Sequence, residues 1–339
     1  MIKEAIIQLA AKRDLTPETA ETVMNEIMTG EASPVQMSAY LTALSLKGET
    51  IDEITASAVG MRKHCIRLLH DIDALEIVGT GGDKANTFNI STTAAIIAAA
   101  AGVPVAKHGN RSASGNCGAA DVLEALGVNI NLEPEKSTEL LKNIGICFLF
   151  AQNYHIAMKY AAPIRRELAI RTVFNILGPL TNPAGAKMEL MGVYDGDLVE
   201  PLAQVLCNLG VKSAMVVHGR DGLDEVSLCA PTAVCEVKNG WTRSYTIEPE
   251  QFGFARCGKT DLEGGNPRVN AEIIKSILSG QNDPPCNHKR NAAMLNAAAA
   301  LYVSGKYDSI EKSVEATGDV IWSGKATAKL NDFVKYSNM

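Results

Sequence analysis

From Leu75 onward, short apolar runs alternate with helical stretches, and this alternation constrains the fold more than any other feature of the sequence. The apolar runs at 76–78, 103–106 and 147–150 are separated by helical stretches such as 92–101. Parallel strands need long crossovers, usually helices, so strands that alternate with helices predict a parallel sheet. We therefore expect an α/β fold, a mostly parallel sheet with helices on both faces.

The first seventy residues carry helix signals and no strand. Start signals stand at Thr16-Pro17, Ser33-Pro34 and Thr50. Residues 155–177 are also helical in pattern, and we expect them to return to the N-terminal helices. This predicts a small all-α domain, 1–70 completed by about 160–185. A large α/β domain, 71–159 and 186–339, follows.

Asn239-Gly240 lies between two strand-like runs, 233–237 and 241–246. Asn-Gly between such runs is the strongest short signal for a two-residue hairpin turn. We expect this hairpin to add antiparallel strands to the sheet.

Charge and cysteine usage limit the classes of partner. The 339 residues hold 38 acidic and 32 basic side chains, a net charge of -6, with no long run of Lys or Arg. Nucleic acid and anionic membrane are therefore poor partners. Eight cysteines without a C-x-x-C pair, in a chain of this size, indicate reduced thiols and a cytoplasmic location.

Two adjacent segments have the composition of phosphate sites. Glycines in 79–83 (GTGGD), directly after the first strand, let backbone N–H groups converge on an anion. Residues 89–92 (NIST) then begin a helix, whose first N–H groups and dipole form a second anion site. Two such sites suit a ligand with phosphates at both ends. The alternative is a glycine-rich turn before a capped helix, and the spacing matches neither a P-loop nor a dinucleotide fingerprint.

Three further segments carry charge, and two of them, 107–115 and Asp224-Glu225, follow strands at the same edge of the sheet. Residues 107–115, after the run 103–106, form a polar loop suited to phosphate, or simply a solvated loop. Adjacent Asp224 and Glu225 after another strand can hold Mg²⁺, although a charged loop is the commoner explanation. Arg165 can grip a carboxylate through two parallel hydrogen bonds, the alternative being a surface arginine.

Taken in order, these segments resemble the anthranilate phosphoribosyltransferase family over nearly the whole chain. The most specific stretches are GTGGD (79–83), NIST (89–92), KHGNRS (107–112), DVLEALG (121–127), RTVFNILGPLTNPA (171–184) and HGRDGLDEVS (218–227). The resemblance implies transfer of a ribosyl 5-phosphate from phosphoribosyl pyrophosphate to the amine of anthranilate. It also implies Mg²⁺ and a homodimer that contacts through the helical domains.

The resemblance also assigns residues. Those implied to bind the phosphoribosyl donor are Gly79, Gly82, Asp83, Thr87, Asn89, Ser91, Thr92, Lys107, Asn110, Arg111, Ser112, Ala113, Ser114, Gly115 and Ala119. Those implied to bind Mg²⁺ are Ser91, Asp224 and Glu225, and those implied to bind anthranilate are Gly79, Asn110, His155 and Arg165. Lys107, His108 and Arg165 are the implied catalytic residues, with His108 lining the acceptor channel.

Three positions depart from the family pattern. Ala119 stands where a serine near the donor is common, Ala169 replaces a usual glycine, and Ile156 replaces a common proline. None of them removes a charge from the site.

The reaction requires stabilisation of charge more than a strong base. Cleavage at the anomeric carbon gives an oxocarbenium-like centre and a highly charged leaving group, which fixed cations and N–H groups stabilise. An aromatic amine is already neutral, so either His108 or a water could take its proton. Two alternatives remain: a pyrimidine nucleoside phosphorylase-like enzyme, and a non-catalytic nucleic-acid-binding relative, which would require a basic groove.

Overall fold

The computed structural model describes residues 1–112, 115–280 and 287–339, and within these ranges seven strands form one sheet. The strands are β1 (Leu75–Gly79), β2 (Val105–Gly109), β3 (Ile146–Phe150), β4 (Met188–Gly192), β5 (Ser213–Gly219), β6 (Thr232–Lys238) and β7 (Trp241–Ile247). Their order is β3-β2-β1-β4-β5-β6-β7, parallel as far as β5 and antiparallel beyond it. The predicted mostly parallel sheet is confirmed. The predicted hairpin is also confirmed, with positive φ at both Asn239 and Gly240.

Four helices precede the first strand, as predicted. They are α1 (Ile2–Ala10), α2 (Pro17–Thr29), α3 (Pro34–Lys47) and α4 (Ile51–Lys63). The three predicted start signals act as N-caps: the side chains of Thr16, Ser33 and Thr50 each accept a backbone N–H of the first turn. Each cap satisfies one N–H group that has no partner within the helix.

The remaining α-helices follow β1 in the chain. They are α5 (Ile90–Ala100), α6 (Ala119–Ala125), α7 (Pro134–Ile144), α8 (Ala151–Tyr154), α9 (Met158–Leu168), α10 (Phe174–Leu180), α11 (Val199–Asn208), α12 (Pro267–Ser279), α13 (Asn287–Val303), α14 (Ile310–Trp322) and α15 (Lys325–Ser337). Among the described helices, none combines the length and apolarity that crossing a bilayer requires.

The sheet separates two hydrophobic cores. Met191 and Val216 point to the side of α11 and the N-terminal helices, whereas their neighbours Leu190 and Met215 point to the side of α5 and α13. This alternation is the two-residue period of a strand buried on both faces. Because α11 contacts α4, the helical bundle is packed on one face of the sheet.

The segment between β3 and β4 returns to the N-terminal helices. Helix α9 contacts α2 and α3, and α10 contacts α4. Helix α10 includes Gly178 and Pro179, residue types that often end a helix, and it ends at Leu180. Pro179 lacks the N–H that would bond the Asn175 carbonyl, and the helix ends one residue later. Ala169 ends α9 with φ 52°, in the left-handed region that favours glycine.

The strand order reverses between β1 and β4, since β2 and β3 lie on one side of β1 and β5 lies beyond β4. In open α/β sheets, ligands bind outside the carboxyl ends of the strands at such a reversal. The strands that flank it end in Gly79 and Gly192. A Cβ at either position would overlap Asp224, so both glycines are required for the loop after β5 to approach.

Candidate active site

The glycine-rich loop after β1 is held by a carboxylate from the loop after β5. Asp224 accepts the backbone N–H of Gly81 through Oδ2 at 2.7 Å. Gly81 and Gly82 have φ of 69° and 79°, values that turn the backbone sharply at no cost in a glycine. Asp83, at the end of the loop, lies near the Asp224 carboxyl. The predicted anion-binding turn therefore contains two acidic side chains.

The next carboxylate reaches the second predicted anion site. Glu225 accepts the Ser91 N–H through Oε1 at 3.0 Å, in the first turn of α5. A negative charge is favoured there by the free N–H groups and the helix dipole. Asp224 and Glu225 are consecutive in sequence. Asp224 occupies the anion site at the turn 79–83, and Glu225 occupies the anion site at the first turn of α5.

Lys107 and His108 lie within β2, which corrects the prediction that they begin a polar loop. The strand extends to Gly109, and each side chain is 4% exposed. Lys107 Nζ donates to the Ile77 carbonyl at 2.5 Å and lies 3.4 Å from Ser91 Oγ. The Lys107 ammonium donates to a buried carbonyl and lies near the Ser91 hydroxyl. Lys107 can therefore belong to the strand while its side chain faces the first turn of α5.

The buried charges around Asp224, Glu225 and Lys107 are mostly negative. Burial raises the pKa of Asp224 well above its usual range, and nearby Asp83 and Glu225 add to the effect. Burial raises the pKa of Glu225 to about 7, although Lys107 opposes the shift. Burial lowers the pKa of Lys107, against the pull of Glu76 and the Asp224–Glu225 pair. One ammonium therefore faces several carboxylates, a deficit that a cation can fill.

The donor set fits Mg²⁺. Asp224, Glu225 and the Ser91 hydroxyl offer the hard oxygen ligands that this ion prefers. Within the described ranges, no three His, Cys, Asp or Glu side chains cluster closely enough to enclose a metal. Mg²⁺ in proteins usually keeps several waters and completes its coordination with substrate phosphates.

Two imidazoles lie beside each other where β2 meets α10. The ring centroids of His108 and His155 are 5.0 Å apart. His108 Nδ1 is 3.2 Å from the carbonyl oxygen of Gly178, and the His155 ring donates to the carbonyl of Thr181. A carbonyl only accepts, so each ring carries its proton on Nδ1. Each Nε2 is buried without a protein partner among the described residues, so its lone pair is not used by the described protein.

Arg165 on α9 is a cation suited to binding a ligand carboxylate. Its guanidinium lies 5.4 Å from the centre of the Phe174 ring, and burial lowers its pKa. Among the described residues, no carboxylate lies within ion-pair distance of Arg165, unlike Arg111 or Arg256. A half-buried guanidinium in this state can receive a ligand carboxylate.

The segment after β2 is organised by α6. Asp121 accepts the N–H groups of Ser112 and Gly118, and the Ser112 hydroxyl bridges to Gly115. Arg111 pairs with Asp121 and Glu124, so its guanidinium is committed to this helix. The predicted donor residues Ala113 and Ser114 lie outside the described residues.

Asn110 directly follows β2 and is exposed. Its Oδ1 accepts its neighbour's N–H, that of Arg111, at 2.8 Å. Ala119 begins α6 and faces Gly109. Neither residue is brought into the Asp224–Glu225 cluster by a direct contact.

Other predicted donor residues are held by neighbouring backbone. Thr87 forms an isolated bridge with Glu263. The Asn89 side chain donates to the Cys117 carbonyl at 3.1 Å and accepts from Asn270 at 2.9 Å, so it does not cap α5. The Thr92 hydroxyl, in the first turn of α5, is buried without a partner in the described structure. Ser91 is therefore the residue of this turn that contacts the charged cluster.

Sequence reasoning missed Arg171. Its guanidinium donates to the Gly82 carbonyl at 2.8 Å and lies 3.7 Å from the centre of the Tyr194 ring. Its own carbonyl accepts the Ser45 hydroxyl of α3, so Arg171 joins the helical bundle to the glycine-rich loop. In the sequence it stands out only as part of the RTVFN stretch of the family resemblance, and no periodicity distinguishes it.

Glu76 and Asn182 were missed as well, although an acidic residue inside an apolar strand was a visible signal. Glu76 is fully buried and accepts the His108 N–H and the Asn182 amide. Burial raises the pKa of Glu76 to about 7, while Lys107 and the N–H donors oppose the shift.

Known proteins share this fold and sequence. The model described as "Glycosyl transferase family, helical bundle domain" matches residues 3–65, and "Glycosyl transferase family, a/b domain" matches residues 71–327. The anthranilate phosphoribosyltransferase of Methanobrevibacter smithii is 63% identical, with 100% of each chain covered. That of Thermus thermophilus has a solved structure with a TM-score of 0.93 and 42% identity, covering 99% of each chain.

A second solved structure is that of the Saccharomyces cerevisiae anthranilate phosphoribosyltransferase in complex with PRPP and Mg. Its TM-score is 0.91 at 27% identity, covering 99% of this chain and 98% of that one.

The two imidazoles should remain neutral well below the usual histidine range. Burial lowers the pKa of His108 to about 3, helped by His155 and Lys107, and lowers the pKa of His155 to about 4. In ¹⁵N spectra of histidine-labelled protein, both rings should show the Nδ1–H tautomer unchanged from pH 8 to about pH 5.5. Single Gln variants assign the signals. An imidazolium signal from either ring at pH 6 would contradict this description.

Proposed function

Because this chain belongs to the anthranilate phosphoribosyltransferases, we propose a role for each residue of the site in the reaction of that family. The reaction transfers the 5-phosphoribosyl group from phosphoribosyl pyrophosphate to the amine of anthranilate. The products are N-(5-phosphoribosyl)anthranilate and pyrophosphate, in tryptophan biosynthesis. One observation supports the roles most: Asp224 and Glu225 lie on the two backbone anion sites, next to the ammonium of Lys107.

The donor binds at this edge of the sheet. The N–H groups of 79–83 and of the first turn of α5, other than those of Gly81 and Ser91 that the carboxylates occupy, receive phosphate oxygens. Lys107 adds a fixed positive charge near Ser91. Ser91, Asp224 and Glu225 hold Mg²⁺, which when bound neutralises charge on the leaving diphosphate. These groups are fixed before the reaction begins, so little reorganisation opposes cleavage of the anomeric carbon–oxygen bond.

The acceptor binds between α9, α10 and the end of β2. Arg165 grips the anthranilate carboxylate, and Asn110 and the backbone at Gly79 line the same channel. The Nε2 lone pairs of His108 and His155 face the amine, and the His108 lone pair accepts its proton as the carbon–nitrogen bond forms. Both rings are neutral, so they do not add positive charge beside an oxocarbenium-like centre.

Two coarser features of the protein extend this proposal. The chain divides into a helical domain, 1–70 with about 160–185, and an α/β domain, 71–159 with 186–339; contact of α9 with α2 and α3 supports the division. The location is the cytoplasm, because a donor with several phosphate charges does not cross membranes unaided. Seven free cysteines among the described residues are compatible with it.

The protein forms a homodimer through the helical domain. Helices α1 and α3 contact each other, and both expose aliphatic side chains: Ile7 is 67% exposed, and Val35 and Leu46 are each 79% exposed. Apolar side chains gathered on neighbouring helices suit an interface that buries them against a second copy.

Activity is tested by following loss of anthranilate fluorescence with phosphoribosyl pyrophosphate and Mg²⁺, and by detecting pyrophosphate. Transfer should occur with anthranilate and not with adenine or thymine. Combined Asp224→Asn and Glu225→Gln should raise the Mg²⁺ concentration for half-maximal rate about tenfold or more, because two charged ligands are lost. Asp197→Asn, an exposed carboxylate at the same edge, is the control. An identical Mg²⁺ titration for the double variant would refute the metal role.

Arg165→Lys should weaken acceptor binding selectively. Loss of a second charge-assisted hydrogen bond, about 1.5–3 kcal/mol, raises the KM for anthranilate roughly ten- to hundredfold. The KM for phosphoribosyl pyrophosphate should stay within about twofold. Arg166→Lys, its exposed neighbour, serves as the matched control. Equal anthranilate KM values for both variants would remove the role of Arg165.

Light scattering after size exclusion should give a mass twice that of the chain. Ile7→Lys combined with Val35→Lys should shift the protein to a monomer, because two charges would be buried at the interface. Val269→Lys changes an aliphatic residue that is 46% exposed on α12, and it should leave the dimer intact. A double variant that remains dimeric would exclude this face as the interface.

A further inference from the structure

The sheet is interrupted between β1 and β2. Five residue pairs join β1 to β4, and five join β2 to β3, but β1 and β2 share the single pair Leu75–Val105. If this parallel ladder continued, Ile77 N–H would donate to the Ala106 carbonyl, and His108 N–H would donate to the Ile77 carbonyl. Four backbone groups therefore lose their strand partners where the two strands approach the active site.

Both N–H groups are taken by Glu76. Its Oε1 accepts the N–H of Ile77 at 3.1 Å, and its two carboxylate oxygens accept the N–H of His108 at 3.0 and 3.2 Å. The side chain is 0% exposed. A carboxylate accepts several N–H groups at once, which a single backbone carbonyl in a regular ladder does not do.

Both carbonyls are taken by amine and amide donors. Asn182 donates to the Ala106 carbonyl at 2.8 Å and also to the Glu76 carboxylate. Lys107 Nζ donates to the Ile77 carbonyl at 2.5 Å. All four orphaned backbone groups are therefore satisfied, but by three side chains instead of by the strands themselves.

This substitution is costly, because it buries a carboxylate where ordinary ladder bonds would serve. Its benefit is geometric. Lys107 and His108 are consecutive in a strand, so their side chains point to opposite faces of the sheet. Lys107 extends across the interrupted seam toward Ser91, and the His108 ring turns toward Gly178 and His155.

We propose that Glu76 and Asn182 are positioning residues of the transfer reaction: they join β1 to β2 through side chains and so fix Lys107 toward the donor and His108 toward the acceptor. This rests on the proposed roles of Lys107 and His108. Neither Glu76 nor Asn182 needs to contact a substrate, because both act through the main chain of β2 and the ammonium of Lys107.

Kinetics of Glu76→Gln test the proposal. The amide keeps the volume but replaces an accepting oxygen with a donor, so at least one N–H at the seam loses its partner. We expect kcat to fall about ten- to hundredfold, the effect of a misplacement of catalytic groups by about 1 Å, with both KM values within about threefold. Asn182→Ala should lower kcat in the same way, and the double variant should be no slower than the slower single variant, because both act as one unit.

Glu189→Gln is the matched control. Glu189 pairs with Glu76 in the β1–β4 register, is 2% exposed and forms no hydrogen bond to β2 in the described structure. Burial and the nearby Glu76 raise its pKa well above the usual range, so an amide resembles the protonated acid that it replaces. Its kcat should stay within about twofold of the wild-type value.

A second readout does not depend on turnover. The His108 amide proton, bonded to a carboxylate, should resonate downfield and exchange slowly in the wild type and in Glu189→Gln. In Glu76→Gln and Asn182→Ala it should shift and exchange faster. A wild-type kcat in Glu76→Gln, or a His108 amide unchanged by both seam variants, would overturn the proposal. Wild-type protein without transfer activity would overturn the proposed function alone, since the amide readout would still report on the seam.

Discussion

The carboxyl edge of the sheet depends on two hydrogen bonds that backbone N–H groups donate to consecutive carboxylates. Asp224 reaches Gly81, and Glu225 reaches Ser91, so one short loop joins the turn after β1 to the first turn of α5. This requires Gly79 and Gly192 at the ends of the flanking strands, where any side chain would overlap Asp224. The strand order, the glycines and the acidic pair therefore form one constraint.

That constraint has an electrostatic consequence. The same N–H groups that attract phosphate here bind carboxylates, whose burial raises the pKa of both acidic side chains. Lys107 alone cannot balance them and the nearby Asp83. A divalent cation and a phosphorylated donor together supply what neither supplies alone: positive charge for the carboxylates, and oxygens for the cation. The site is thus better suited to a metal-bound donor than to a free anion.

Sequence patterns predicted the architecture well, because local rules decide it. The capping residues Thr16, Ser33 and Thr50 begin helices where expected, and the Asn-Gly turn forms its hairpin. Asp224 and Glu225 could be singled out because their position after a strand is visible in one dimension.

The parts that were missed are set by contacts between distant segments. Lys107 and His108 belong to a strand instead of a loop, because Glu76 and Asn182 supply the partners that a polar strand end lacks. Glu76 is 32 residues from His108 in the chain, and Asn182 is 76 residues from Ala106. Arg111, whose charge suggested a phosphate ligand, is paired with two carboxylates of α6. Neither periodicity nor composition reports which charged side chains already have a partner.

The orientation of the two imidazoles in the proposed anthranilate site is set by the end of helix α10. Carbonyls in the last turn of a helix lack N–H partners within it, so side chains can bind them. At the end of α10 the Gly178 carbonyl receives His108, the Leu180 carbonyl receives Arg62 of α4, and the Thr181 carbonyl receives His155. Because carbonyls only accept, they impose the Nδ1–H tautomer on both imidazoles and leave each Nε2 lone pair for the amine. Backbone geometry, more than any neighbouring charge, thus makes these histidines acceptors, and the link from Arg62 to Leu180 joins that geometry to the helical bundle.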